Sequence, residues 1–148
     1  MTNTVNLHRV LTAPPEKVFR AFSDANAYAS WIPPYGFVCK VDKFDFKKGG
    51  EYHASFTNFT TGNSHSFGGK FLEIKTNELI KHTDKFDTGL PGEMTVTVSL
   101  RKVSCGTEIK ITQENIPPQI PAEMCYLGWQ ESLEKLKKLV EPNIPDAP

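Results

Sequence analysis

The ionisable side chains best suited to proton transfer are four histidines and one carboxylate that stands close to one of them. His82 and Asp84 are two residues apart, so on a strand they would share a face and could work as an acid-base pair. The simpler interpretation of that spacing is a pair exposed at the edge of a sheet. His53 and His65 fall on successive predicted strands and could face each other. None of these spacings defines a catalytic set, so the sequence predicts no catalytic residue.

The spacing of histidines and cysteines does not indicate a metal site or a catalytic nucleophile. The histidines show no HxH or HExxH spacing and the cysteines no CxxC spacing, so we expect no metal site and no cofactor. Cys39, Cys105 and Cys125 are an odd set, which favours free thiols in a reducing compartment. Cys125 has no basic neighbour in the sequence, so we expect it to behave as a small apolar residue rather than a nucleophile.

Length and charge limit the class of protein. A chain of 148 residues is expected to form one domain, residues 1–148, with its core at about residues 5–140. The net charge is zero, which argues against a general nucleic-acid binder. There is no signal-peptide pattern and no stretch suited to membrane insertion, so we expect a cytoplasmic protein. Ten phenylalanines indicate a large apolar interior or a cavity.

The longest helical pattern, residues 121–140, must position much of what precedes it. Side chains at spacings of three and four form one apolar stripe: Ala122, Cys125, Trp129, Leu133, Leu136 and Val140. Pro121 suits the first helical turn. Met124 and Leu127 project away from the stripe, which predicts either a covering loop or the interface of a homodimer.

Nearly everything before that helix has a strand pattern. We expect one strand, two short helices and then six strands joined by short turns, an antiparallel α+β meander with a loop at residues 87–92. The apolar face slips between Val41 and Phe44, and a strand cannot do this without an inserted residue, so we predict a bulge near residue 42. Gly68 and Gly69 inside a strand predict a bend, a bulge or a close backbone approach.

Several segments in order resemble a known superfamily. Arg9, residues 13–22 and Trp31 are similar to the opening of the START-related superfamily called SRPBCC. The branch named after the C-terminal domain of the activator of heat shock protein 90 ATPase resembles the chain again in later segments: Phe37, Gly49-Gly50, residues 69–74, residues 94–98 and Gly128-Trp129. The resemblance implies a helix-grip fold, in which a curved antiparallel sheet of about seven strands wraps the long C-terminal helix and leaves a cavity between them.

The strand and helix phases predict which side chains line that cavity. Gln113 is the preferred polar contact to a ligand because it continues the inward face of Ile109 and Ile111, and a structural hydrogen bond is the alternative. Trp31 and Trp129 could close one mouth of the cavity or simply pack in the core. His65, Asn58 and the Tyr52 hydroxyl are further polar candidates. The expected lining is Trp31, Tyr52, Phe56, His65, Phe67, Phe71, Met94, Val96, Val98, Ile109, Ile111, Gln113, Cys125, Trp129 and Leu133.

Three functions follow from this layout. The preferred one is a binding protein for a small apolar or amphipathic ligand. The second is a cyclase-like or hydrolytic enzyme that uses the same cavity, with His65, His82 or Asp84 transferring protons. The third is a stress-related module that binds a chaperone through its outer surface, although the chain has no room for the separate docking domain of the eukaryotic co-chaperone.

Overall fold

The computed structural model describes residues 2–87 and 92–147. Of the predicted loop at residues 87–92, residues 88–91 lie outside the described part. The elements follow in the order β1 (Asn3–Leu11), α1 (Pro15–Ser23), α2 (Ala25–Trp31), β2 (Phe37–Phe44), β3 (Glu51–Asn58), β4 (Ser64–Lys75), β5 (Leu79–Phe86), β6 (Met94–Val103), β7 (Gly106–Ile116) and α3 (Ala122–Val140).

The seven strands form one antiparallel sheet in the order β1-β7-β6-β5-β4-β3-β2. Strands β2 to β7 pair with their neighbours in the chain, and β1 adds to the free edge of β7. The predicted α+β helix-grip architecture, with two short helices between β1 and β2 and a long C-terminal helix, is confirmed. β5 is the central strand, so any residue on its inner face lies near the middle of the molecule.

Apolar side chains at every second position of β6 and β7 form the buried face of the sheet. On β6 the side chains of Met94, Val96 and Val98 are buried, and on β7 those of Ile109 and Ile111 are buried. Their strand neighbours are more accessible, which is the period of two that a half-buried strand requires.

The predicted bulge lies in β2. The pairing of β2 with β3 shifts register between Val41 and Lys43, as the slip in the apolar pattern indicated. Because of the inserted residue, Cys39 and Val41 before the bulge and Phe44 after it all pack against the core.

The helices cover the sheet unevenly. Trp31 of α2 is completely buried, and its indole nitrogen donates to the carbonyl oxygen of Ala21 at 2.9 Å. α3 contacts β1, α1 and α2, and it buries Leu133, Leu136 and Val140 in its second half. Its first half is only partly buried, which leaves space between that half and the centre of the sheet. None of the described helices has the length and apolarity needed to cross a bilayer.

Candidate ligand-binding cavity

A cavity of about 290 Å³ lies between the first half of α3 and the inner face of the sheet. This volume is at the lower end of the roughly 300–1,000 Å³ of small-molecule pockets. Its wall consists of Tyr28, Ile32, Pro34, Phe56, Phe67, His82, Asp84, Phe86, Met94, Val96, Gln113, Ile120, Met124, Cys125, Gly128, Trp129 and Ser132. Met124 is 63% exposed, so its side of the wall faces solvent.

Aromatic and aliphatic side chains make up most of the wall. Phe56 and Phe67 on neighbouring strands meet edge to face, with ring centroids 4.7 Å apart. Phe86, Met94 and Val96 continue this apolar surface across β5 and β6. Apolar walls with a few polar groups are typical of sites for small organic molecules.

A hydrogen-bonded chain joins α3 to the sheet across the cavity. The indole nitrogen of Trp129 donates to Gln113 Oε1 at 2.9 Å, and Gln113 Nε2 donates to Met94 Sδ at 3.2 Å. These bonds orient the amide and satisfy the indole N–H. Gln113, predicted as a polar contact to a ligand, therefore also has a structural partner.

Two polar side chains meet at the carbonyl oxygen of Thr83. Tyr52 Oη donates to this oxygen at 2.8 Å, and His82 Nδ1 lies 2.8 Å from it. A carbonyl can only accept, so His82 carries its proton on Nδ1. Burial lowers the pKa of His82 to about 4, opposed by the bond to Thr83, so the ring is neutral at neutral pH with its Nε2 lone pair free to accept.

Gly69 makes this arrangement possible. A Cβ at residue 69 would stand 2.0 Å from the Thr83 carbonyl oxygen, a distance that no side chain tolerates. The backbone nitrogen of Lys70 donates to Thr83 Oγ1 at 2.9 Å, so the side-chain hydroxyl supplies an acceptor at this point of the sheet. The predicted close backbone approach at this glycine pair is confirmed, and it leaves the Thr83 carbonyl free for Tyr52 and His82.

Asp84 is the carboxyl group of the cavity wall. Burial raises its pKa to about 7, although the Tyr52 hydroxyl and the Lys85 backbone oppose the shift. Asp84 Oδ1 is inaccessible to solvent and has no hydrogen-bond partner among the described residues. Asp84 and His82 are two residues apart on β5, so both side chains lie on its inner face and border the same cavity.

The interpretation of His82 and Asp84 as an exposed edge pair is wrong. β5 is the central strand, and the two side chains point inward with Ile80 and Phe86. The period-two spacing placed them on one face correctly. Which face that is depends on the pairing of β5 with β4 and β6, and the weak apolar pattern of the strand did not reveal it.

The expectation that His53 and His65 face each other is also wrong. His53 is opposite Gly68 and His65 is opposite Phe56, so the two rings lie on different faces. His53 is on the outer face, where Nδ1 lies 2.7 Å from Asp42 Oδ1 and Nε2 lies 2.6 Å from Asp87 Oδ2. Its hydrogen bonds to Asp87 and then Asp42 raise the pKa of His53.

The predicted lining residues fall into four groups. The cavity wall contains Phe56, Phe67, Met94, Val96, Gln113, Cys125 and Trp129. Tyr52 and Phe71 border a narrow gap of about 10 Å³ beside the cavity, where His82 and Tyr28 separate it from the main space. Solid core contains Trp31, Val98, Ile109, Ile111 and Leu133. His65 is exposed and lies outside the wall, because it stands near the open end of β4.

Two further expectations are corrected by these positions. Trp31 closes no mouth of the cavity, because it packs edge to face against Phe22 and Tyr28 in the core. Asn58 turns its side chain to the following loop, where its Oδ1 accepts from the backbone nitrogens of Thr60 and Thr61.

The sequence pattern did not place Tyr28, Gly128 and Ser132 in the wall, and the expectation that Met124 projects away from the cavity is wrong, because Met124 lines its solvent-facing side. Tyr28 and Ser132 lie on helices whose apolar stripes were recognised, but their rotation toward the cavity depends on how α2 and α3 pack together. Ser132 shows this dependence, since its hydroxyl donates to the carbonyl oxygen of Ile32 at 2.6 Å and ties α3 to the end of α2.

Comparison with known proteins places this architecture in a family. Residues 12–141 match the family described as Activator of Hsp90 ATPase homolog 1-like protein. A crystal structure of a protein from Chromobacterium violaceum is 52% identical, with a TM-score of 0.91 over 95% of this chain and 99% of that one. A search of the curated proteins matched none.

More distant structures share only the fold. A protein from Rhodobacter sphaeroides is 21% identical with a TM-score of 0.81, over 91% of this chain and 90% of that one. A protein from Arthrobacter aurescens is 20% identical with a TM-score of 0.82, over 92% of this chain and 84% of that one. The sheet and helices therefore persist where most of the side chains differ.

Proposed function

The chain belongs to the family of Activator of Hsp90 ATPase homolog 1-like proteins, and we propose that it binds a small apolar or amphipathic molecule in the cavity beneath α3. The observation that carries this proposal is a space of about 290 Å³ in an otherwise packed interior. Its wall is mostly apolar and one side faces solvent, so a small apolar molecule can enter and displace water from it.

Gly128 gives the proposal a direct test. It lies on α3 in the cavity wall, and a Cβ added there would meet no atom within 4 Å. Gly128→Leu should therefore fill part of the cavity without displacing backbone. Helix propensity favours the change by about 1 kcal/mol, so the fold should be retained.

The measurement is fluorescence titration with N-phenylnaphthylamine, a neutral apolar probe. We expect the unchanged protein and Gly128→Ala to bind the probe, and Gly128→Leu to bind at least about tenfold more weakly, because only the leucine side chain competes for the space. Gly128→Ala is the matched control for the altered backbone propensity. No binding to the unchanged protein, or equal binding to both variants, would refute the proposal.

A second candidate, a proton-transfer enzyme, is favoured by Asp84 and His82. Burial raises the pKa of the Asp84 carboxyl to about 7, which suits a group that gives and takes protons at neutral pH. A screen of small esters such as nitrophenyl butyrate would test the hydrolytic form. Turnover that persists in the Asp84→Asn, His82→Gln double variant would exclude these residues.

Two finer expectations accompany the proposal. The three cysteines are free, which supports residence in a reducing compartment such as the cytoplasm. Leu127 is 55% exposed on α3, and Met124, at the solvent-facing side of the cavity wall, is 63% exposed, which supports a homodimer formed through this helix.

A further inference from the structure

The polar end of the cavity contains an unpaired buried acceptor. Asp84 Oδ1 is shielded from solvent and accepts no hydrogen bond from any described residue. A carboxyl oxygen in that position carries a desolvation cost that a hydrogen-bond donor would relieve. The Asp84 side chain borders the cavity, so a donor bound there can reach this carboxyl group.

His82 supplies a second acceptor on the same face. Its Nδ1–H is committed to the Thr83 carbonyl oxygen, which also accepts from Tyr52. Nε2 is therefore a lone-pair acceptor, and it forms no hydrogen bond within residues 2–87 and 92–147. Since residues two apart on a strand stand roughly 7 Å apart, one polar head group can lie between the two side chains.

Positive charge is missing from the described cavity wall. None of the residues that line it is a lysine or arginine, and His82 stays neutral at neutral pH. The indole N–H of Trp129 is already used by Gln113. The wall also offers two neutral donors, the Tyr28 hydroxyl and an N–H of Gln113. An anionic head group would nevertheless meet no cation and would lie beside the Asp84 carboxyl group, whereas a donor would find two acceptors.

We propose that the cavity selects an apolar molecule whose head group is a hydrogen-bond donor, an alcohol or a protonated amine, held by the Asp84 carboxyl group and His82 Nε2, and that it rejects carboxylates. This inference rests on the proposed function, since it names the class of molecule that the cavity binds. Alcohol and amine share the donor chemistry, and separate probes distinguish them.

The chain contains its own reporter for a binding experiment. Trp129 lies in the wall, while Trp31 is fully buried and bonded to Ala21, and these are the only two tryptophans. Their indole N–H signals in a nitrogen-proton correlation spectrum therefore separate cavity binding from general perturbation. The full chain at about pH 7 would be titrated with octanol, octylamine and octanoate, which share one hydrocarbon tail.

We expect octanol or octylamine to shift the Trp129 signal with at least tenfold higher affinity than octanoate, while the Trp31 signal stays in place. Asp84→Asn should weaken octylamine binding about tenfold, because the charge partner is lost, and should reduce the discrimination against octanoate. Asp87→Asn makes the same change outside the cavity wall and should leave all affinities unchanged.

The opposite results are distinguishable. Octanoate binding as tightly as the other probes would overturn the donor selectivity and leave cavity binding intact. If no probe shifts Trp129 and N-phenylnaphthylamine does not bind, both this inference and the proposed function fail. Because the comparison of probes uses the unchanged protein, it remains decisive even if Asp84→Asn does not fold.

Discussion

Removal from water favours the uncharged form of both Asp84 and His82, and it moves their pKa values in opposite directions. Burial raises the pKa of Asp84 to about 7 and lowers that of His82 to about 4. An acid with a raised pKa makes the folded state lose stability as pH rises, whereas a histidine with a lowered pKa makes it lose stability as pH falls. The two contributions oppose each other in the range where both groups titrate.

Asp84→Asn should isolate one of these contributions. Below about pH 4 the Asp84 carboxyl is protonated in both the folded and the unfolded state. Its titration then adds nothing to the difference in free energy of unfolding between the variant and the unchanged protein. Between its ordinary pKa of 3.8 and about 7, only the unfolded state releases the proton, and the unchanged protein loses stability. The free energy of unfolding of Asp84→Asn, relative to that of the unchanged protein, should therefore rise by about 1.4 kcal/mol per pH unit in this range. Above this range the difference should stay constant.

Urea denaturation of both proteins from about pH 4 to pH 8 measures this difference. The contribution of His82 cancels because both proteins retain it. A difference in free energy of unfolding that does not change with pH would show that Asp84 is not a buried carboxyl with a raised pKa.

Gly69 on β4 affects the cavity because it permits a close contact between β4 and β5. Their pairing joins Gly68 to Lys85 and Phe71 to His82, and between these pairs Lys70 N bonds the Thr83 hydroxyl. Gly69 permits the Thr83 carbonyl to approach, and that carbonyl orients both Tyr52 and His82. A backbone contact between two strands thus decides the tautomer of a cavity histidine.

Gly69→Ala should destabilise the protein by about 1–3 kcal/mol, the usual cost of forcing extra atoms into a packed site. The added Cβ would stand 2.0 Å from the Thr83 carbonyl oxygen, so the strands must separate. Urea denaturation measures the loss, with Gly128→Ala as the control because its Cβ meets nothing. Equal denaturation midpoints for Gly69→Ala and the unchanged protein would contradict the role given to this glycine.

At the scale of the molecule, the cavity exists because only the second half of α3 packs closely into the core. Its second half packs into the core with Leu133, Leu136 and Val140, and its first half spans the sheet with Cys125 and Trp129 half-buried. We propose that residues 1–148 form a single domain with its core at about residues 5–140, and one continuous sheet and one contiguous core among the described residues support this proposal.

If this protein forms a homodimer, exposed residues in the first half of α3 should control its dissociation constant. If Met124 and Leu127 form the contact between two copies, Leu127→Glu should raise the dimer dissociation constant at least about tenfold, because a charge would be buried in the interface. Leu139→Glu places the same side chain at an exposed position near the other end of the helix and is the control. Sedimentation equilibrium measures both, and an unchanged protein that stays monomeric at every concentration would refute the dimer.

The sequence by itself determined the elements and their faces, because periodicity depends only on local geometry. The alternation of Met94, Val96 and Val98, the register slip after Val41 and the stripe on α3 each predicted what the structure contains. These patterns also placed Phe56, Gln113 and Trp129 on faces that line the cavity.

Only the tertiary structure decided which inward side chains line the cavity and which pack as core. Ile109 and Ile111 share a face with Gln113, yet they are solid core because α3 approaches the sheet more closely at its second half. It also decided that Asp84 and His82 are internal, since the side of a strand that meets the helices is set by strand order and sheet curvature. Spacing along the chain carries no information about the distance between two elements, and that distance determines whether a cavity exists.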